Sequence, residues 1–295
     1  MLGRIINISI ALFALSSLAV FAHQPVPTRT KETDRAAAPK TMPFQPDEEL
    51  IYEGEFSKLL LRGINIAEFK FRVERGTTEA NARPGASPTA PANLVFKGDV
   101  TARGWFRKLF GIDFHYNTES VVAPDSLLIL SNSVRDEQGK RLRTSQSIFD
   151  RTQNLLTWTQ RNPNDPQAEP RVVRAPLQNA AHDLISAIYF LRTQTLEPGR
   201  TLELNISDSG AVYRIPVRVG ERKRMKTIVG RVQAVRVDVE IFGADRLVDR
   251  KGEMTLWITD DAYRLPVRAR VNTDIGTLDI TLKKISGPNV PGKLR

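Results

Sequence analysis

The chain has no cysteine among its 295 residues. Disulfide frameworks, thiolate catalysis and cysteine-based zinc sites are thereby excluded. So is lipid attachment through an N-terminal cysteine. Histidine is nearly as scarce: His23, His115 and His182 are all there are. None belongs to an i, i+4 pair or a HExxH pattern, so no metal site is readable. Ser145, Ser147 and Ser186 lack a GxSxG elbow, and no glycine-rich phosphate cradle occurs. The residues therefore nominate no catalytic group, no metal and no cofactor, and the expectation is a protein that is not an enzyme. Past residue 22 no apolar run approaches the roughly 20 residues that span a bilayer as a helix.

The first 22 residues are what the rest lacks. Arg4 supplies a positive start, Ile5 to Phe21 an apolar run, and Val20 and Ala22 the small residues that precede a cut at His23. Residues 1–22 read as a signal peptide; a retained membrane anchor is the alternative. Cleavage is favoured because no basic stop-transfer segment follows. The expected product is exported, periplasmic or extracellular, and soluble. The formal charge of +10 falls to about +9 on cleavage, since Arg4 is the one charged side chain removed. Residues 23–46, rich in Pro, Thr, Ala and charge, read as a disordered linker. A single domain over 47–285 and a disordered tail over 286–295 complete the chain. An apolar content of 41% is enough for a sizeable core.

Alternation dominates that domain. Ala67, Phe69, Phe71 and Val73 share one phase, with Glu68, Lys70 and Arg72 on the other. Phe110, Ile112, Phe114 and Tyr116 repeat the pattern, as do Val235, Val237, Val239 and Ile241. A half-buried strand must alternate in this way because successive side chains point to opposite faces. Gly252 to Lys284 reads as three strands joined by turns at Asp260-Asp261 and Asn272 to Gly276. Helical spacing appears once, at Asp183 to Thr193, where Leu184, Ile185, Ala187, Ile188 and Leu191 form a stripe and Asp183 is a good N-cap. The expected fold is mainly β. It is a single curved antiparallel sheet of about ten to twelve strands, forming a closed or half-open barrel with one short amphipathic helix closing an end or lying across the concave face.

The inward aromatics Phe69, Phe71, Phe114 and Tyr116, with Ile188 and Leu191 of the helix, are the ligand-pocket candidates. Apolar inward residues serve a filled core as well as a cavity, so alternation alone does not separate the two. The aromatic and basic run from Gly104 through Trp105 to Phe110 reads as an amphipathic corner plugging a barrel end, ahead of a membrane interface or ligand mouth. Asp260 and Asp261 are the one carboxylate pair to weigh for chemistry. Adjacent in sequence and between two strands, they read as turn residues bonding their own backbone. The basic run Arg222 to Lys226, with Arg214, Arg218, Arg264, Arg268 and Arg270, reads as a solvated strand face ahead of an anion-binding one.

Tyr52-Glu53-Gly54, Gly104-Trp105 with Leu109-Phe110, Asp183 to Arg192, Gly252 to Arg264 with Trp257 to Asp261, and Leu265-Pro266-Val267 form a spread of matching stretches. Through them the sequence resembles the domain of unknown function 3108 family of exported bacterial envelope proteins. The resemblance implies an exported β-rich domain with no assigned reaction and no catalytic residues. It marks Trp105, Asp183, Tyr189, Arg192, Trp257, Asp260, Asp261 and Pro266 as structural motif positions. Arg75 to Ala92 looks like an insertion in that pattern. The expected role is a non-enzymatic envelope protein holding a lipid or other apolar or amphiphilic ligand in a half-open barrel. The alternatives are a structural or scaffolding module that binds an envelope protein or polysaccharide, and last a hydrolase using Asp260 and Asp261. An anionic membrane surface or another envelope protein is the expected macromolecular partner, and nucleic acid is not expected.

Overall fold

In the computed structural model, residues 42–76, 92–104, 113–177 and 180–288 are described. The expected signal peptide, the linker up to residue 41, the loop 77–91, the aromatic run 105–112 with Trp105, and the tail beyond 288 lie outside them. Alternating stretches become strands, in order β1 (Glu49–Lys58), β2 (Leu61–Arg75), β3 (Leu94–Ala102), β4 (Phe114–Val122), β5 (Ile129–Gln138), β6 (Arg141–Asp150), β7 (Leu155–Arg161), β8 (Arg171–Pro176) and β9 (Ala181–His182). After helix α1 (Leu184–Arg192) come β10 (Thr201–Asp208), β11 (Ala211–Thr227), β12 (Gly230–Val239), β13 (Gly252–Thr259), β14 (Pro266–Thr273) and β15 (Gly276–Ser286).

All fifteen strands join one sheet, in the order β8 to β1, then β15 down to β9. Neighbours are antiparallel except β9, which runs parallel to β10. Pairing of β1 with β15 places both ends of the domain in the middle of the sheet, with Leu50 opposite Ile285. The edges come from mid-chain, at β8 and β9, and no ladder joins them. The sheet is therefore large and curved but not closed.

The expected ten to twelve strands undercount it. Strand β8, Arg-Val-Val-Arg-Ala-Pro, is an edge with neither face fully buried, so it carries no clean alternation. Strand β9 is two residues long. Strand β11 runs on for 17 residues, with a register shift between Val219 and Arg222 opposite β12. The domain also starts earlier than residue 47: Phe44 is 2% exposed and packs in the core, so the end of the expected linker belongs to the folded part.

Helix α1 fills the concavity. No residue of it is exposed, and its apolar residues serve two core clusters. Ile185 and Tyr189 pack with Phe44, Phe69, Phe96 and Phe149, whereas Ala187 and Leu191 pack with Leu204, Ile215, Val235 and Val237. A helix that is apolar on most sides has to be enclosed in this way. Gly98 in β3 makes room, because a β-carbon there would lie 2.9 Å from the Ile185 Cδ1 atom.

The β8 edge packs against the β10–β11 turn. Gly210, in the β10–β11 turn, has φ +84°, and a β-carbon there would lie 2.7 Å from Val173 Cβ of β8 and 3.2 Å from Trp158 Cβ of β7. Gly139, at φ +59° in the β5–β6 turn, has nothing within 4 Å of the same position. Both substitutions to alanine pay the left-handed strain of ~1 kcal/mol, and Gly210→Ala adds an overpacking cost of ~1–3 kcal/mol. Urea unfolding is expected to show Gly210→Ala clearly less stable than Gly139→Ala; equal losses would mean that the β8 edge and this turn do not touch.

Candidate functional site

Both ends of α1 are fastened by buried charge. At its start Asp183 is the N-cap: Ser186 N–H donates to Asp183 Oδ1 at 2.8 Å, and Asp183 N–H donates to Ser186 Oγ at 3.0 Å. This is a capping box with serine in place of the usual glutamate or glutamine. Asp183 Oδ2 accepts from Asn132 Nδ2 of β5 at 2.6 Å and from the Ser120 hydroxyl of β4. Burial holds the Asp183 carboxyl above the usual range despite the donors from Ser120, Ser186 and Asn132. The cap thus bolts the helix to the sheet as well as ending it.

At the other end Arg192, 1% exposed, is the largest fully buried side chain. Its Nη1 donates to Glu48 Oε1 at 2.5 Å and its Nη2 to Glu48 Oε2 at 2.9 Å, a bidentate fork. Nη2 also donates to the Pro43 and Tyr263 carbonyls, each at 3.0 Å. The guanidinium lies 5.2 Å from the Phe44 ring centroid and 5.3 Å from that of Tyr189, and Tyr189 stacks on Phe96 at 4.3 Å. An acid at the helix start and a base at its end also suit the helix dipole.

This geometry explains the Trp257 to Pro266 signature. Asp261 Oδ1 accepts from Thr259 Oγ1 at 2.7 Å, Tyr263 N–H at 2.9 Å and Arg264 N–H at 3.1 Å, which shapes the turn that offers Tyr263 C=O to Arg192. Asp260 accepts from Arg222 Nε at 2.6 Å and Arg264 Nη1 at 2.9 Å. The Arg222 bond holds its carboxyl below the usual range. Both carboxylates are turn and pinning groups, and nothing brings them together across a cleft. Pro266 is buried at the start of β14, and Trp257 carries the Arg268 guanidinium 5.5 Å from its ring centroid. The basic face is largely paired: Arg268 and Arg270 share Asp279, and Arg218 meets Glu240.

Of the pocket candidates, Phe69, Phe71, Phe114 and Leu191 are buried core, and Ile188 packs against it half-buried. They face inward and are taken up by the packed core. Tyr116 also borders a cavity of mixed character, in which Val134, Phe149, Leu184 and Ile185 stand among the polar groups. It lies at the seam near the start of α1, lined by Thr118, Asn132, Ser147, Trp158, Asp183, Ser207 and Asp208 among others, with a volume of about 40 Å³. A cavity of that size has room for ordered water or a small polar group. Asp208, half-buried at its rim, makes no ion pair among the described residues, and burial pushes its carboxyl up to about 6. Among the described residues no group of His, Asp and Glu is arranged to hold a metal ion, and no helix is long and apolar enough to cross a membrane.

The sequence carried a signal for this cavity. Thr118 and Ser120 in β4, Asn132 in β5, and Ser145 and Ser147 in β6 occupy phases otherwise filled by Phe114, Val122, Val134 and Phe149. Five polar residues on the inward phase of three successive strands demand partners, because buried polar groups are hydrogen-bonded.

Fold and site together define a mainly β protein, one large open curved sheet with an internal helix. A family model described as a protein of unknown function, DUF3108, matches residues 52–283, and the chain belongs to that family. No curated protein matches it. Among solved structures it is similar to a β-barrel-like protein of domain of unknown function DUF1849 from Brucella abortus, at 6% identity and TM-score 0.49, covering 82% of this chain and 98% of that one. It is also similar to a proposed exported protein with a YmcC-like fold from Bacteroides fragilis, at 12% identity and TM-score 0.33, covering 85% and 100%. A proposed lipoprotein from Parabacteroides distasonis follows, at 9% identity and TM-score 0.31, covering 83% and 97%.

Two groups near the helix start respond to pH in opposite senses. His182 is 1% exposed with neither ring nitrogen hydrogen-bonded, and burial, aided by Arg151, lowers it to about 4. Its contribution to stability is complete above the unfolded value near 6.5 and is lost as pH falls through 4. Asp208 behaves inversely: its contribution is complete below the unfolded value near 3.9 and is lost as pH rises through about 6. From pH 4.5 to 7, urea unfolding should show the parent gaining ~2–3 kcal/mol relative to His182→Phe and losing stability relative to Asp208→Asn. A pH-independent difference for either variant would contradict the burial ascribed to that group.

Proposed function

We propose that the protein is an exported component of the cell envelope that works by binding rather than catalysis, and that its ligand is hydrophilic. The observation that carries this reading is the set of polar groups in the seam cavity, with the Asp208 carboxylate at its rim and in no ion pair among the described residues. Hydroxyl and amide groups of Ser147, Ser207 and Asn132 line the same space. Such a set suits a protonated amine on a small polyhydroxylated molecule, or the end of an amine-bearing polysaccharide: the carboxylate pairs the ammonium and the neutral groups take hydroxyls. Lipid storage is less well supported, because the inward aromatics Phe69, Phe71 and Phe114 are buried in the packed core. Export is proposed from the first 22 residues.

Glucosamine and glucose are the probes that test this, by calorimetric titration at pH 7.5 and pH 5. Glucosamine is expected to bind at pH 7.5, to weaken about tenfold at pH 5 as the Asp208 carboxyl protonates, and to be lost in Asp208→Asn, while glucose binds poorly throughout. Equal binding of the two sugars would refute the carboxylate's role. Phospholipid retained stoichiometrically by protein purified from envelopes would favour the lipid reading instead.

A further inference from the structure

The β1–β2 hairpin ends in three leucines. Lys58 pairs with Leu61, so Leu59 and Leu60 form a two-residue turn. Leu59 is 86%, Leu60 97% and Leu61 46% exposed, in a protein whose apolar residues otherwise mostly pack inward. The backbone there is also costly: Leu59 has φ +50°, in the left-handed region. Tight hairpin turns favour Gly, Asn or Asp at such positions, and the turns at Gly139, Gly210, Gly230 and Gly276 of this same sheet use glycine at positive φ. Neither folding nor solubility accounts for leucine at this tip.

The flanking charges indicate what does. Lys58 and Arg62 bracket the leucines and make no ion pair among the described residues, while Asp274 lies in the neighbouring β14–β15 turn. An apolar point between two unpaired cations is what insertion into an anionic lipid surface requires. The leucines leave water for the boundary between headgroups and acyl chains, and the bases remain at the phosphates. A two-residue tip with no apolar surround offers little area to a folded protein partner. We infer that the Leu59–Leu61 tip docks the protein onto an anionic lipid bilayer. The tip is ten strand residues, roughly 33 Å, from the start of β1, so it acts at the end of the sheet opposite the point where the N-terminal part of the chain joins.

The absence of native cysteine allows a direct test on the full chain. Leu60→Cys carries an environment-sensitive fluorophore, and Ile148→Cys, an apolar position 43% exposed on β6, serves as the control. With phosphatidylglycerol vesicles the Leu60 label is expected to shift to the blue and be quenched by spin-labelled lipid, while the Ile148 label stays aqueous. Phosphatidylcholine vesicles should give a much weaker response. Adding Lys58→Glu and Arg62→Glu should lower the apparent affinity for phosphatidylglycerol about tenfold or more. The proposal is overturned if the Leu60 label stays aqueous or responds no more than the Ile148 label. It is equally overturned if the Leu60 label shifts without vesicles as protein concentration rises, which would make the tip a contact between copies. The unlabelled Leu59→Ser/Leu60→Ser variant keeps glucosamine titration available as a separate readout, so failure here leaves the seam pocket untouched.

Discussion

A guanidinium with no access to water governs this architecture. Isolated in a protein interior, the Arg192 charge would cost several kcal/mol. Its partners therefore have to arrive together: both oxygens of Glu48, the carbonyl of Pro43 and the carbonyl of Tyr263. They come from before β1, and from the turn between β13 and β14, 144 and 71 residues away for Glu48 and Tyr263. The residues before β1, the mid-chain helix and a late turn are thus assembled at one point. Losing Glu48 alone would leave that charge uncompensated, at a cost of about 3–5 kcal/mol by comparison with other buried pairs.

Asp183 does the matching work at the helix start, where it ends α1 and joins it to β4 and β5. With both ends fixed, the helix behaves as the post around which a sheet with no closing ladder is wrapped. This accounts for a barrel-like sheet that stays open between β8 and β9. The wall is completed by the helix and by the Gly210 contact rather than by strand pairing.

The legible part of this in the sequence was the local part. The alternation of Phe69, Phe71 and Val73 showed strands, Asp183 showed the cap, and Gly252 to Lys284 showed three strands, all of which the structure contains. These signals depend on neighbours in sequence. Strand β8 escaped because an edge exposed on both faces has no period to detect. Phe44 escaped because its Pro-rich surroundings look like a linker, and only the Tyr189 and Phe96 rings, far along the chain, give it a place to pack. The Arg192–Glu48 pair has no sequence signature at its separation. The seam cavity was legible in principle, as serines, threonine and asparagine on inward phases, but the pattern shows only when three strands are compared side by side. The candidates Phe69, Phe71 and Phe114 were placed on the correct face, yet whether that face meets a ligand or a helix depends on where α1 goes.

If α1 is a permanent post and not a movable lid, its amides exchange with solvent only when the whole domain unfolds. Native-state hydrogen exchange measures this directly. The account predicts that the amides of the last turn of α1, through Arg192, share the opening free energy of the central strands β1, β2 and β15. Exchange of those helix amides several kcal/mol more easily than the central strands would contradict it.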